Sequence, residues 1–179
     1  MAEFLWIFWS FSLLGWVLER LFAAVTRSPR RRRRCLLLLP LCPVYGLGMA
    51  AVLALPPSLR SGWPLYIWGC LTATAVEYIY HWWGETFLGV SFWDYTGVFG
   101  NFRGRVCLPF SLAWGLLLFP AVYLVTPPVL ALADRVPVGV TWWMLLAFTA
   151  DAVCSLRFLA VTHDLEAMRA AVWPVSGDR

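Results

Sequence analysis

Residues Phe4–Arg34 read FLWIFWSFSLLGWVLERLFAAVTRSPRRRRR, and this stretch decides the fold class. Its first part, about Glu3 to Thr26, is apolar over two thirds of its length and long enough to span ~30 Å of hydrocarbon. It exceeds the apolar region of a secretory leader and lacks a basic segment ahead of it, so it reads as a retained span. Its second part places six arginines in the eight positions 27–34. Such a run stays cytoplasmic, which puts the N-terminus outside.

Composition extends this reading to the whole chain. Hydrophobic residues make up 61% of the 179 and charged residues 13%, against roughly 45–50% and about 25% in soluble domains. The mean hydropathy is +0.71. So few charges cannot form a polar shell, and lipid takes its place. The expected fold class is all-α: a polytopic transmembrane helix bundle of about five spans, forming one integral domain over 1–179 in the cell membrane. The net charge of +4 is no nucleic-acid signal, because the arginines cluster beside apolar segments.

Working outward, span one (3–26) is followed by the basic loop 27–34. Span two, 35–56, carries Pro40, Pro43, Gly46 and Gly48, so its first half cannot be a regular helix. A broken helix is tolerated at membrane depth only where protein or a water-filled cavity satisfies the freed backbone. Span three is 63–83. Residues 86–105 are too glycine-broken for a span and too aromatic for a plain loop, and read as interfacial or re-entrant. Span four is 106–125, closed outside by Pro127-Pro128. Span five is 140–161, with a cytoplasmic tail at 162–179. On this layout ten arginines are cytoplasmic and two, Arg60 and Arg135, external, while Arg20 and Arg157 snorkel inward from span ends. Four spans with a hairpin at the broken segment is the competing layout.

All 14 basic residues are arginine. Without lysine, neither a P-loop nor a lysine Schiff base is possible. An ATP-driven machine containing this chain would need a separate ATP-binding subunit. The five cysteines (35, 42, 70, 107 and 154) form no C-x-x-C pair and read as small buried helix residues rather than disulfides or zinc ligands.

An acid in mid-bilayer costs ~2.5–3.5 kcal/mol on insertion scales, so each needs a reason. Glu77, Asp151 and Glu19 are in that position. They serve either as interhelical glue or as part of a polar pathway. Glu77, His81 and Glu85 share one helical stripe, but their spacing matches no metal motif and the next histidine is His163. No metal, cofactor or catalytic residue is assigned. The loop from Trp93-Asp94-Tyr95 through Asn101 to Cys107 gathers an acid, a phenol, the only amide side chain and two arginines. It reads as a cap sealing the bundle, or as a gate or docking surface.

These positions carry a resemblance. Arg34 and then Pro40-Leu41-Cys42-Pro43-Val44-Tyr45-Gly46-Leu47-Gly48 resemble the N-R-G-x-x-x-G-P-x-C-P-x-Y-G-x-G signature of the ABC-transporter type IV (CmpB-like) permease family. Gly15-Trp16 with Glu19, Glu77 with Glu85, Trp93-Asp94-Tyr95, Asn101 with Gly104 and Cys107-Leu108, and Trp114-Gly115 are similar to its further motifs, in order. Arg33, Cys35 and Leu39 depart from it, where asparagine and two glycines are usual. The resemblance implies a permease-type subunit acting with a separate ATPase, a second copy of itself, or both. Glu19, Tyr45, Glu77, Glu85, Trp93, Asp94, Tyr95 and Asn101 would then line a polar cavity near the cytoplasmic face. The alternatives are a membrane-embedded enzyme acting on a lipid or isoprenoid, and a non-catalytic scaffold.

Overall fold

The computed structural model describes residues 1–26 and 35–172, with side chains described through Met168. The basic run 27–34, on which the expected orientation rests, lies outside the described residues, as does 173–179. Helix α1 covers Ala2–Thr26, α3 Gly62–Trp83 and α6 Val138–Thr162, each beginning and ending within two residues of its expected span. Helices α1, α6 and the stretch Leu108–Ala133 are each long and apolar enough to cross a membrane. Helix α3 has 22 residues, but Thr72, Thr74, Glu77 and His81 lower its hydropathy.

Expected span two is only half helical. Helix α2, Pro43–Leu53, has 11 residues and rises ~16 Å, about half the hydrocarbon thickness. Residues 35–42 before it are irregular, as the prolines require. Pro43 occupies the first turn of α2, where a missing N–H costs nothing. The Cys42 amide donates to the Ser12 carbonyl at 2.8 Å, tying the helix start to the middle of α1. One expectation is corrected here. Cys35 and Cys42 form a disulfide with Cα atoms 5.0 Å apart, while Cys70, Cys107 and Cys154 are free thiols. In a helix, residues seven apart are separated by ~10 Å along the axis. The broken backbone doubles back and brings the pair within bonding reach.

Helices α1 and α2 approach closely through two glycines. A Cβ on Gly15 would overlap the Tyr45 ring, and one on Gly46 would overlap the Phe8 carbonyl oxygen and Ser12 Oγ. Small residues let membrane helices meet backbone to backbone. Gly46→Ala is therefore expected to cost about 1–3 kcal/mol by overpacking. Gly48→Ala in the same helix has nothing within 4 Å of its new Cβ and should cost almost nothing. Reversible unfolding in bicelles checks this, and equal losses for both variants would refute the close-contact account.

On its other side α1 meets α6. Trp6 Nε1 donates to Thr141 Oγ1 at 3.1 Å, and the Phe8 and Phe148 rings lie edge to face at 5.3 Å. Helix α4 (Leu108–Pro120) packs on α3, with Gly115 against Tyr66 and Cys70. Pro127-Pro128 do not end this span, contrary to expectation. A π-turn at Ala121–Val125 leads into α5, Thr126–Ala133. The π-turn adjusts the backbone ahead of the prolines, and the Thr126 hydroxyl donates to the Ala121 carbonyl at 2.8 Å. Helix α3 likewise ends in a π-turn, Gly84–Leu88. A small hairpin follows, pairing β1 (Asn101–Phe102) with β2 (Val106–Cys107).

The expected tail contains a further helix, α7, Leu165–Val172. His163, in the left-handed conformation at φ 53°, turns the chain, and its Nδ1 donates to the Leu88 carbonyl at 2.6 Å. Leu165 and Met168 are buried in the same apolar cluster as Leu36, Leu37, Phe92, Trp93 and Leu159. Burial of that face, not propensity, sustains so short a helix.

Candidate functional site

The intramembrane acids all have partners. Asp151 Oδ1 accepts the Leu38 amide at 3.2 Å and Oδ2 the Leu39 amide at 3.0 Å. Ser155 Oγ adds a bond to Oδ1 at 3.1 Å. The carboxylate of α6 thus satisfies backbone donors that the irregular segment 35–42 leaves without a helical acceptor.

Glu77 is 2% exposed. Its Oε1 accepts the Tyr95 hydroxyl and its Oε2 the Trp114 indole N–H, both at 3.0 Å. Both oxygens therefore hold donors, one from the buried Tyr95 and one from the half-buried Trp114, an arrangement suited to an acceptor-only carboxylate. Tyr95 comes from the loop between α3 and β1, and Trp114 from α4. Trp114 also lies edge to face with Tyr45, 5.4 Å between ring centroids, and the Tyr45 hydroxyl donates to Glu19. Glu19, Tyr45, Trp114, Glu77 and Tyr95 form one chain of contacts across α1, α2, α4, α3 and the loop.

The loop is folded to deliver Tyr95. Trp93 and Tyr95 are buried while Asp94 is exposed, the alternation of an extended segment. Trp93 Nε1 donates to the Arg105 carbonyl at 2.7 Å, and the Tyr95 amide to the Gly104 carbonyl at 2.8 Å. Asp94 Oδ1 accepts the Thr96 amide at 2.8 Å. Hydrogen bonds from Thr96 hold the Asp94 carboxyl below its ordinary range, so it remains charged at neutral pH.

Two cavities meet this network. One of about 340 Å³ runs between α1, α2, α3 and α4 and is lined by Glu77, Tyr45, Trp114 and mainly aliphatic side chains such as Leu14, Leu18 and Leu117. The second, about 190 Å³, is lined by Glu19, Tyr45, Trp93, Asp94, Tyr95 and Trp114, with Phe22 and Phe110 among the others. Their linings share Leu18, Tyr45, Trp114 and Leu117. Of the eight expected cavity residues, the second cavity gathers five, and Glu77 lines the first. Glu85 and Asn101 line neither. The walls are more apolar and aromatic than the polar cavity expected.

Glu85 belongs to a different cluster. Its Oε1 lies 3.1 Å from His81 Nε2, and its Oε2 accepts from Arg105 Nε at 2.7 Å. Arg105 also donates to the Tyr78 hydroxyl at 2.8 Å. Asn101 is a loop residue: its Nδ2 donates to the Val98 carbonyl at 3.0 Å and its Oδ1 accepts the Gly104 amide at 3.4 Å. The helical stripe Glu77–His81–Glu85 therefore divides between two sites, and no group of three potential metal ligands is present among the described residues.

A family model described as "Putative ABC-transporter type IV" matches residues 6–156. The chain belongs to this family. The match takes in α1 through most of α6, and with them both cavities and every acid described above. As an ABC-transporter-type membrane protein, it has helices able to cross a bilayer. No curated protein and no solved structure matches the chain. Sequence reasoning missed the roles of Trp114 and Tyr95 as donors to Glu77. The signal available was chemical: a mid-span acid requires donors, and indole and phenol groups are the ones an apolar segment can offer.

Proposed function

We propose that this chain is a permease-type subunit of the cell membrane, with its N-terminus outside and its C-terminus cytoplasmic. Its solute passes through the cleft between α1, α2, α3 and α4. The observation that carries this reading is Glu77, a buried carboxylate at the wall of the larger cavity that is held by the loop residue Tyr95 and the helix residue Trp114. A rearrangement of the loop would change the acid's partners and the cavity's wall together. The chain is small for a solitary path, so the working assembly contains a separate ATP-binding subunit, a second copy of this chain, or both.

For the alternative of an enzyme acting on a lipid or isoprenoid, the geometry does not favour a serine-nucleophile route. Ser91 Oγ and Glu85 both approach the same His81 nitrogen, Nε2, at 3.3 and 3.1 Å. A relay to a serine nucleophile needs the acid and the hydroxyl on opposite ring nitrogens.

The test is uptake. Proteoliposomes holding the assembled complex are given a mixture of solutes with ATP, and the trapped contents are read by mass spectrometry. Wild type should concentrate at least one solute, and Glu77→Gln, which exchanges an acceptor oxygen for a donor, should reduce that uptake roughly tenfold. Identical contents for the two, with equal incorporation, would reject the reading.

A further inference from the structure

The irregular segment 35–42 begins and ends on a cysteine, and the two are joined. Its middle donates the Leu38 and Leu39 amides to Asp151 of α6, and its end donates the Cys42 amide to the Ser12 carbonyl of α1. Leu36 and Leu37 are buried in one apolar cluster with Leu159 of α6 and with Leu165 and Met168 of α7. The segment is thus a wedge, with α1 and α2 on one side and α6 and α7 on the other. The sulfur bridge closes it into a short ring and removes much of the freedom its residues would otherwise have. With the N-terminus outside, Cys35 directly follows a cytoplasmic arginine run. Thiols are kept reduced in that compartment, and a disulfide there is ordinarily transient and catalytic or redox-sensing, not a permanent brace. Both cysteines are buried, which does not suit a pair that turns over substrates. The tip of the segment, Leu39-Pro40, is exposed, so exchange at the bond proceeds through local opening of the ring.

We propose that Cys35 and Cys42 form a redox latch that couples α6 to the start of α2. Closed, it presents the Leu38 and Leu39 amides to Asp151; opened, it releases them. A cytoplasmic dithiol opens it. One thiolate of the reductant attacks a latch sulfur, forming a mixed disulfide and expelling the other cysteine as a thiolate, which takes up a proton. The second thiol of the reductant then loses its proton and displaces the remaining cysteine, which is protonated in turn. The protein gains two electrons and two protons, and the reductant ends as a disulfide. Closure runs the same exchange backward, with the electrons passing to a disulfide oxidant. Val44, two residues past the latch, lines the larger cavity, so the state of the latch bears on the wall of the cleft. The proposal rests on the orientation given in the permease reading and not on its solute.

Two measurements on the full chain test it. In cells, thiols are trapped with N-ethylmaleimide under acid quench, before and after brief exposure to the thiol oxidant diamide, and the peptide spanning 35–42 is weighed. It should carry two adducts before and none after. Two adducts in both states would show that the latch never closes, and none in either that the bond is a permanent brace; each overturns the proposal. In nanodiscs, hydrogen exchange at Leu38 and Leu39 should be roughly tenfold faster in dithiothreitol than in the oxidised protein. Cys35→Ser should exchange fast in both conditions, and Cys154→Ser, which removes a free thiol of α6, should match wild type. Equal exchange with the latch open and closed would also overturn the proposal. Orientation is read separately, from a C-terminal tag that added protease should remove from inside-out vesicles only. Removal from right-side-out vesicles rejects the orientation, and with it the cytoplasmic reductant, even if the exchange difference persists. A tag on the expected side with an inert latch rejects the latch alone.

Discussion

Asp151→Ala is expected to destabilise the protein by about 2–4 kcal/mol, because it leaves two backbone amides and a serine hydroxyl without their acceptor where water is scarce. The wild-type carboxylate receives Leu38, Leu39 and Ser155, and alanine receives none. Asp151→Asn keeps one carbonyl oxygen and should fall between the two. Loss should also show locally, as faster hydrogen exchange at Leu38 and Leu39 relative to the helical amides of α2. Reversible unfolding in bicelles with exchange mass spectrometry measures both effects. An alanine variant as stable as wild type, with unchanged exchange over 35–42, would show that the irregular segment holds its shape without the acid.

Glu77→Leu is the second large effect. Leucine deprives the buried Tyr95 hydroxyl and the half-buried Trp114 indole N–H of the acceptors they now reach. The expected cost is about 2–4 kcal/mol, from roughly 1–3 kcal/mol per orphaned donor, set against the smaller hydrogen-bond energies of about 0.6 kcal/mol measured within membranes. Tyr95→Phe removes one of those donors in advance. The double variant Glu77→Leu/Tyr95→Phe should therefore lose less than the two single losses added together, by about 1 kcal/mol. Strict additivity in that cycle would mean that the loop is held by packing alone and that Tyr95 does not couple to α3.

The sequence made some of this legible and hid the rest for physical reasons. Long apolar runs identified α1, α3 and α6 because hydropathy over some twenty residues is a summed property, insensitive to detail. The acids could be marked because a carboxylate in hydrocarbon demands compensation whatever supplies it. Their partners could not be named. Tyr95 lies 18 positions from Glu77, Trp114 lies 37 away, and Leu38 lies 113 from Asp151. Such pairings are fixed by helix placement, which no local pattern encodes. The Cys35–Cys42 disulfide was hidden because the sequence shows that proline breaks this segment but not that the segment doubles back on itself. Pro127 and Pro128 read as an end because proline ordinarily interrupts the hydrogen-bond ladder; here a π-turn precedes them.

That π-turn links residue count to shape. A turn of this kind usually holds one residue more than a regular helix of the same height would need. Deleting a residue between Ala121 and Val125 would restore a regular turn of the same height, leaving Thr126–Ala133 its facing but bringing the proline rings against carbonyls of the turn before them. Trp114, two turns earlier, would keep its hold on Glu77. The wide turn and the proline pair are thus matched, to be gained or lost together if this helix is to run on unbroken past Thr126.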